Sequence, residues 1–240
     1  MCCAYHPGGK ENNFGPRGLQ FDLVGLYLQP FGIKLTQIDK LMVKTLTGRP
    51  VGRPREFDEE QVLAAAMDAF WRKGYEATSL VDLTECTCMN KASLYRVFGD
   101  KHQLFKAALK NYSDIEFRET TAVIRDTASP LTNIRAVVQK ICDDANSNKG
   151  CMIINSMVEL APHDPEVKQM LQGFGEQRLQ AIQGMVAQAQ AADEVRPELD
   201  PHKLAVSLMI AFAGSAAMIK GFMPNEQIID NLKNLIESWT

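Results

Sequence analysis

Apolar side chains recur along this chain at intervals of three and four residues, the period of a helix with one covered face. Val62, Leu63, Ala66, Met67, Phe70 and Trp71 form one such stripe, and Gly74 follows where a helix C-terminus favours a left-handed residue. Asp58 and Gln61 have the spacing of a capping box, and Phe57 with Val62 that of a hydrophobic staple. Behind Asp100 and Gln103 the stripe returns as Leu104, Phe105, Ala108, Leu109 and Tyr112. Asp164 before Pro165 and Asp200 before Pro201 each set a cap ahead of a proline at the first helical position. These landmarks predict a first helix from Asp58 to Gly74, then helices at about 79–86, 91–98, 101–126, 130–146, 151–161, 165–192, 201–221 and 225–238. No stretch alternates with period two, so the pattern predicts an all-α chain of nine helices.

Residues 1–48 are different. Segments such as CAYHPGGKENNFGPRG show neither period and are rich in turn formers, which predicts an extension outside the core. Either the extension is genuine and flexible, or translation starts at Met42 and residues 1–41 are an over-long reading of the gene.

Composition changes the picture only when divided. The 240 residues carry a net charge of −3, which lacks the basic footprint of a simple nucleic-acid binder. Residues 49–112, however, hold 10 Lys/Arg against 9 Asp/Glu, while 113–240 hold 11 against 17. An acidic C-terminal half thus masks a nearly neutral segment whose basic groups can share a face. The six cysteines form no C-x-x-C pair and have no zinc-finger spacing, so no metal site or cofactor is expected and the thiols are read as free. Leu204–Ile219 is the longest uncharged run, and its 16 residues fall short of a membrane span, so no membrane association is expected. No G-x-S-x-G, H-E-x-x-H or Gly-rich phosphate loop is present, which argues against an enzyme.

Residues 78–105 carry the chemistry. Two short helical patterns, with Leu80, Leu83 and Thr84 on one and Leu94, Val97 and Phe98 on the other, are separated by a few residues around Cys88–Asn90. Asn90 is placed to cap the second. Small residues after it let that end approach base edges through Lys91, Ala92 and Ser93, with Lys91, Tyr95 and Arg96 in reach of the sugar-phosphate backbone.

The run GRPREFDEEQVLAAAMDAFWRKGYEATSLVDL, followed by NKASLYRVFGDKHQLF, resembles the DNA-binding head of the TetR/AcrR family of bacterial transcriptional regulators. The resemblance rests on four features together: a first helix ending F-x-x-x-G-Y, a T-S opening of the second, K-x-S-L-Y in the recognition helix, and a closing F-x-x-K-x-x-L-F. It implies a two-domain molecule, with a helix-turn-helix domain over 49–99 and a ligand-binding and dimerisation domain over 100–240. Thr78 and Ser79 then face a phosphate at a helix N-terminus, Tyr95 and Lys101 match phosphate contacts, and Arg53 and Arg55 resemble a minor-groove arm or else form a solvated linker. Two residues depart from the family pattern. Thr87–Cys88 replaces the usual Ala-Gly at the inter-helix turn, so either Cys88 is strained or the turn is built differently, and Val97 stands where His is common.

Over the body the resemblance is architectural. It implies a homodimeric repressor on a palindromic double-stranded operator in the bacterial cytoplasm, released by a small-molecule effector. Leu204, Leu208, Phe212 and Ile219 on one helix, with Ile228, Leu232 and Leu235 on the next, are the expected dimer face, or else core. Cys151, Asn155 and Glu159 fall on overlapping faces of one apolar helix and, with Phe117, Met170 and Phe174, are the candidate effector contacts, against the alternative of caps and inter-helix bonds. Cys142 and Cys151 offer thiol-based redox or electrophile sensing, and Cys151, Met157 and His163 soft-metal sensing, as alternatives. An architectural DNA binder remains a further rival.

Overall fold

The computed structural model describes residues 58–145, 149–221 and 223–240. The expectations for residues 1–48, for Arg53 and Arg55, and for Phe57 as half of a staple lie outside the described residues. Within them the chain forms nine helices and no strand. In order these are α1 Glu59–Lys73, α2 Leu80–Thr87, α3 Lys91–Phe98, α4 Lys101–Thr121, α5 Pro130–Ala145, α6 Met152–Glu159, α7 Pro165–Ala191, α8 Pro201–Gly221 and α9 Asn225–Glu237.

The caps fix most of the starts. Asp58 accepts from Glu60 N at 3.0 Å, Asn90 from Ser93 N at 2.9 Å, Asp100 from Gln103 N at 2.8 Å and Asp164 from Val167 N at 3.0 Å. Each satisfies one backbone donor that the first turn leaves without a helical partner. Ser79 and Asp82 add a full capping box at α2, which the sequence reading passed over.

The largest departure from the sequence reading is the end of α4, at Thr121 rather than near residue 126. The Thr121 hydroxyl donates to the Phe117 and Arg118 carbonyls at 2.8 and 3.1 Å, and this local bonding competes with helix continuation. Beyond it, buried Asn133 bonds both the N–H and the C=O of Arg125 at 3.0 Å, holding the connection to α5 as a turn.

One core runs through both halves. Val62, Ala66 and Phe70 of α1 pack with Leu83, Leu94, and Leu104, Phe105, Ala108 and Leu109 of α4. The same cluster continues into Met152, Ile153 and Leu160 of the α6 segment and Val167 and Leu171 of α7. Phe105 sits edge-on to Phe70 and to Tyr75, with ring centroids 5.1 and 5.0 Å apart. α7 packs against α5 and α8, and α9 against α5 and α8.

α8 is unlike the other helices. Its Pro201–Ile219 stretch has a mean hydropathy of 1.5 but is only 11% buried. By length and composition this helix is apolar enough to cross a membrane, because it gathers residues 201–203 into the element that the count of uncharged residues left out. The expected dimer face also needs correction. Leu208, Ile228 and Leu232 are buried inside a single chain at 1, 4 and 3% exposure, so they are core and unavailable to a partner. Leu204, Phe212, Ile219 and Leu235 are half-buried, whereas Ile210 and Met218 point outward.

Candidate DNA-binding site

α2 and α3 have eight residues each, too short to persist alone. Leu83 and Leu94, both fully buried, anchor them to the head core. Burying Leu94 turns Ala92 and Arg96 outward on the opposite side of α3, while Lys91 is exposed at the first turn and Ser93 and Tyr95 are half-exposed on the flanks. Lys91 Nζ lies 5.6 Å from the Tyr95 ring centroid, a cation–π arrangement that groups the two on one surface. The outward side thus carries small side chains at its capped N-terminus and cationic or hydroxyl groups behind them. That is the composition a helix needs to enter a major groove while holding the flanking phosphates.

The turn between α2 and α3 resolves the alternative posed by Cys88. Its φ of 52° and ψ of 26° are left-handed, so the residue occupies the conformation that glycine adopts freely and other residues only with strain. The adjacent Thr87 is buried and donates its hydroxyl to Leu83 O at 2.6 Å.

At the N-terminus of α2 one expectation fails. Thr78 is completely buried and its hydroxyl donates to Gly74 O at 2.6 Å, so the side chain cannot reach a phosphate. Ser79 is exposed, but its hydroxyl accepts from Asp82 N at 3.1 Å and donates to Asp82 Oδ2 at 2.7 Å. Lys73 Nζ, 2.5 Å from Asp82 Oδ1, and the Ser79 hydroxyl hold the Asp82 carboxyl down to about 2. Lys101 is half-buried, with Nζ 4.4 Å from the Tyr75 ring centroid and 3.5 Å from Glu76 O, so it already braces the turn that precedes α2.

The candidate effector residues lie outside the groove that the body carries between α6, α7 and α8. A groove of about 490 Å³ lies between α6, α7 and α8, walled by Met157, Leu171, Leu179, Val206, Met209 and Ile210. None of Phe117, Cys151, Asn155, Glu159, Met170 and Phe174 lines it. Phe174 packs against the main core instead, and Asn155 Nδ2 donates to Lys149 O at 3.2 Å. Glu159, expected to face a ligand, directs its carboxylate at the backbone of Tyr75 and Glu76. Phe117 lies under the Arg178 guanidinium, whose carbon is 5.7 Å from the ring centroid. Arg178 also bonds Glu116, Ser113 and Phe174 O, which ties α4 to α7 inside the body.

Cys142 and Cys151 are poorly suited to sensing, because burial raises both thiols above their ordinary value and suppresses the reactive thiolate. Among the described residues no three His, Cys, Asp or Glu side chains gather as a metal site would require.

Two short capped helices braced on a third, the second presenting a polar face, have the arrangement of a helix-turn-helix DNA-binding regulator. Residues 62–108 match the family model of bacterial regulatory proteins of the tetR family, and residues 130–236 that of the tetracyclin repressor-like C-terminal domain. The chain belongs to the TetR family, whose members are DNA-binding transcriptional regulators rather than enzymes. It is 29% identical over 192 residues to the HTH-type transcriptional repressor ComR of Escherichia coli (strain K12), covering 78% of this chain and 91% of that one. The uncharacterized HTH-type transcriptional regulator YezE of Bacillus subtilis (strain 168) is 37% identical over 120 residues, 49% of this chain and 62% of its own. A cysteine mutant of the TetR family transcriptional regulator CifR, complexed with 26-bp operator DNA, superposes with a TM-score of 0.70 at 25% identity, covering 79% of this chain and all of that one.

Proposed function

We propose that this chain is a homodimeric, cytoplasmic transcriptional repressor that binds a palindromic DNA operator and is released from it by a small-molecule effector. The observation that carries this reading is the outward surface of α3, where Ala92 and Arg96 stand exposed opposite the buried Leu94 and Lys91 is exposed at the first turn. Lys91, Ala92 and Ser93, behind the Asn90 cap, read base edges, while Tyr95, Arg96 and Lys101 hold phosphates. Ser79 presents the N-terminus of α2 to another phosphate, and the basic arm of Arg53 and Arg55 adds affinity that is largely independent of sequence.

Two heads are needed because half-sites one DNA turn apart, about 34 Å, exceed the reach of one. The outward apolar side of α8, centred on Ile210 and Met218, supplies a surface for the second copy, and the acidic body keeps the molecule from binding DNA indiscriminately. The effector acts by favouring a state in which the heads no longer match successive grooves; coupling of about 1–3 kcal/mol lowers operator affinity about 5- to 150-fold. Binding, with no catalytic step, is the whole activity.

The test is a set of substitutions read against DNA enriched from a random duplex pool. Tyr95→Ala and Lys101→Ala weaken binding to every duplex and flatten its salt dependence, whereas Ala92→Leu abolishes discrimination between the enriched duplex and random DNA. Unchanged affinity and discrimination in all three would place the recognition surface elsewhere.

A further inference from the structure

α6 has only eight residues, and the segment that carries it is fastened to the head on both sides. On its N-terminal side Lys149 Nζ lies 2.5 Å from Asp68 Oδ1 and 4.7 Å from the Trp71 ring centroid. Beside it the Trp71 indole donates to Gly150 O at 2.8 Å. On its C-terminal side the Glu159 carboxylate accepts from two successive head amides, Oε2 from Tyr75 N at 3.0 Å and Oε1 from Glu76 N at 2.9 Å. Both partners are more than eighty residues away in sequence.

The carboxylate packs closely against the glycine that opens this turn. A Cβ at Gly74 would lie 2.8 Å from Glu159 Oε2, and Gly74 itself has a φ of +84°. Glycine therefore serves both the turn and the carboxylate that lies against it. The turn so held is the one that leads into α2. Thr78 bonds back to Gly74 O, Lys101 reaches Glu76 O and the Tyr75 ring, and Ser79 caps α2 directly afterwards.

We propose that Glu159 is a positioning residue for DNA binding: from the body, its carboxylate sets the Tyr75–Glu76 amides and thereby the placement of Ser79, Lys101 and the N-terminus of α2 against the phosphate backbone. α6 is then a second strap between body and head beside α4, held by directional hydrogen bonds in addition to the packing of Met152, Ile153 and Leu160. Charge-assisted bonds of this kind fix an angle more tightly than apolar contact does, so a small displacement of α6 reorients the α2 terminus. Glu159 touches no DNA.

The inference rests on the DNA-binding reading, and its test separates the two. In the free full-length chain, Glu159→Ala should speed hydrogen exchange at the Tyr75 and Glu76 amides while leaving the amides of α7 and α9 protected. Glu159→Gln, which keeps one accepting oxygen, should restore part of that protection. On duplex DNA enriched by the wild-type chain, Glu159→Ala should lower affinity about tenfold. It should also be non-additive with Ser79→Ala, because both substitutions act through the same terminus.

Retained protection in Glu159→Ala would overturn the inference, as would unchanged affinity once protection is lost, or full additivity with Ser79→Ala. If the wild-type chain enriched no duplex at all, the DNA-binding reading would fail, while the exchange experiment would still report whether Glu159 holds the turn.

Discussion

Where α6 meets the head, an apolar core runs across the junction, and the charged side chains beside it each meet a specific group: Glu159 two amides and Lys149 a carboxylate. Along α8, beyond its polar first turn, the large side chains that stand outward are apolar, with Ile210 67% and Met218 41% exposed. The two surfaces suit different tasks. Directional bonds define an angle between elements, which a regulator needs where body motion must become head motion. Apolar area is indifferent to angle but yields free energy in proportion to the surface removed from water, which suits association of whole subunits.

The largest effect that this contrast predicts comes from α8. Ile210→Asp places a charge in the centre of the proposed subunit contact, and should convert dimer to monomer in sedimentation velocity. Operator affinity should fall about 100-fold, because the second head no longer binds at a high effective concentration. A dimer that survives the substitution would move the contact to another face.

The next effect is inside the chain. Arg178 and Glu116 are only 15 and 26% exposed, and removing Arg178 leaves the Glu116 carboxylate with only the long Thr120 hydroxyl bond among the contacts described for it. Arg178→Ala should therefore destabilise the chain by about 3 kcal/mol in denaturant unfolding. Arg135 and Glu237 are bidentate but 43 and 53% exposed, so Arg135→Ala should cost less than about 1 kcal/mol. Equal losses would mean that burial does not distinguish the two pairs.

These regions were unequally legible in the sequence. Helix starts were readable because a cap is a local event: Asp58, Asn90, Asp100 and Asp164 each bond an amide two or three residues on. The outward side of α3 was readable for the same reason, since burying Leu94 fixes what faces away from it. The end of α4 was harder, because the periodicity of residues 122–126 permits a helix that the Thr121 hydroxyl and Asn133 prevent. Glu159 shows the limit most clearly. Its place on an apolar helix marked it as unusual, but its partners lie 83 and 84 residues away, and nothing local separates a ligand contact from a strap. Three residues of the expected dimer face were misplaced for a similar reason, because a stripe such as Leu208, Ile228 and Leu232 looks the same whether it meets the chain's own α-helices or another copy's.

Two smaller predictions sharpen the head side of the comparison. Cys88→Gly removes the left-handed strain at φ 52° and should stabilise the fold by about 0.5–1 kcal/mol, read as a raised thermal midpoint. Any loss of stability would show that the turn does not set that residue's energy. The Asp82 carboxyl should titrate near pH 2 in a carbon-detected NMR experiment, below its ordinary 3.8, because Lys73 and Ser79 bond its charged form. A folded-state value below the unfolded one means that its contribution is complete above about pH 4 and is lost as pH falls through 2. Titration at 3.8 would show that the α2 cap is not formed in solution.

The most direct test of the central claim is selection of bound duplexes from a random pool by the full-length chain at a stated salt concentration. Enrichment of one palindrome with half-sites about one turn apart, lost on Ala92→Leu, is the predicted result. Uniform recovery of all sequences by a folded chain would contradict it and leave an architectural DNA binder in its place.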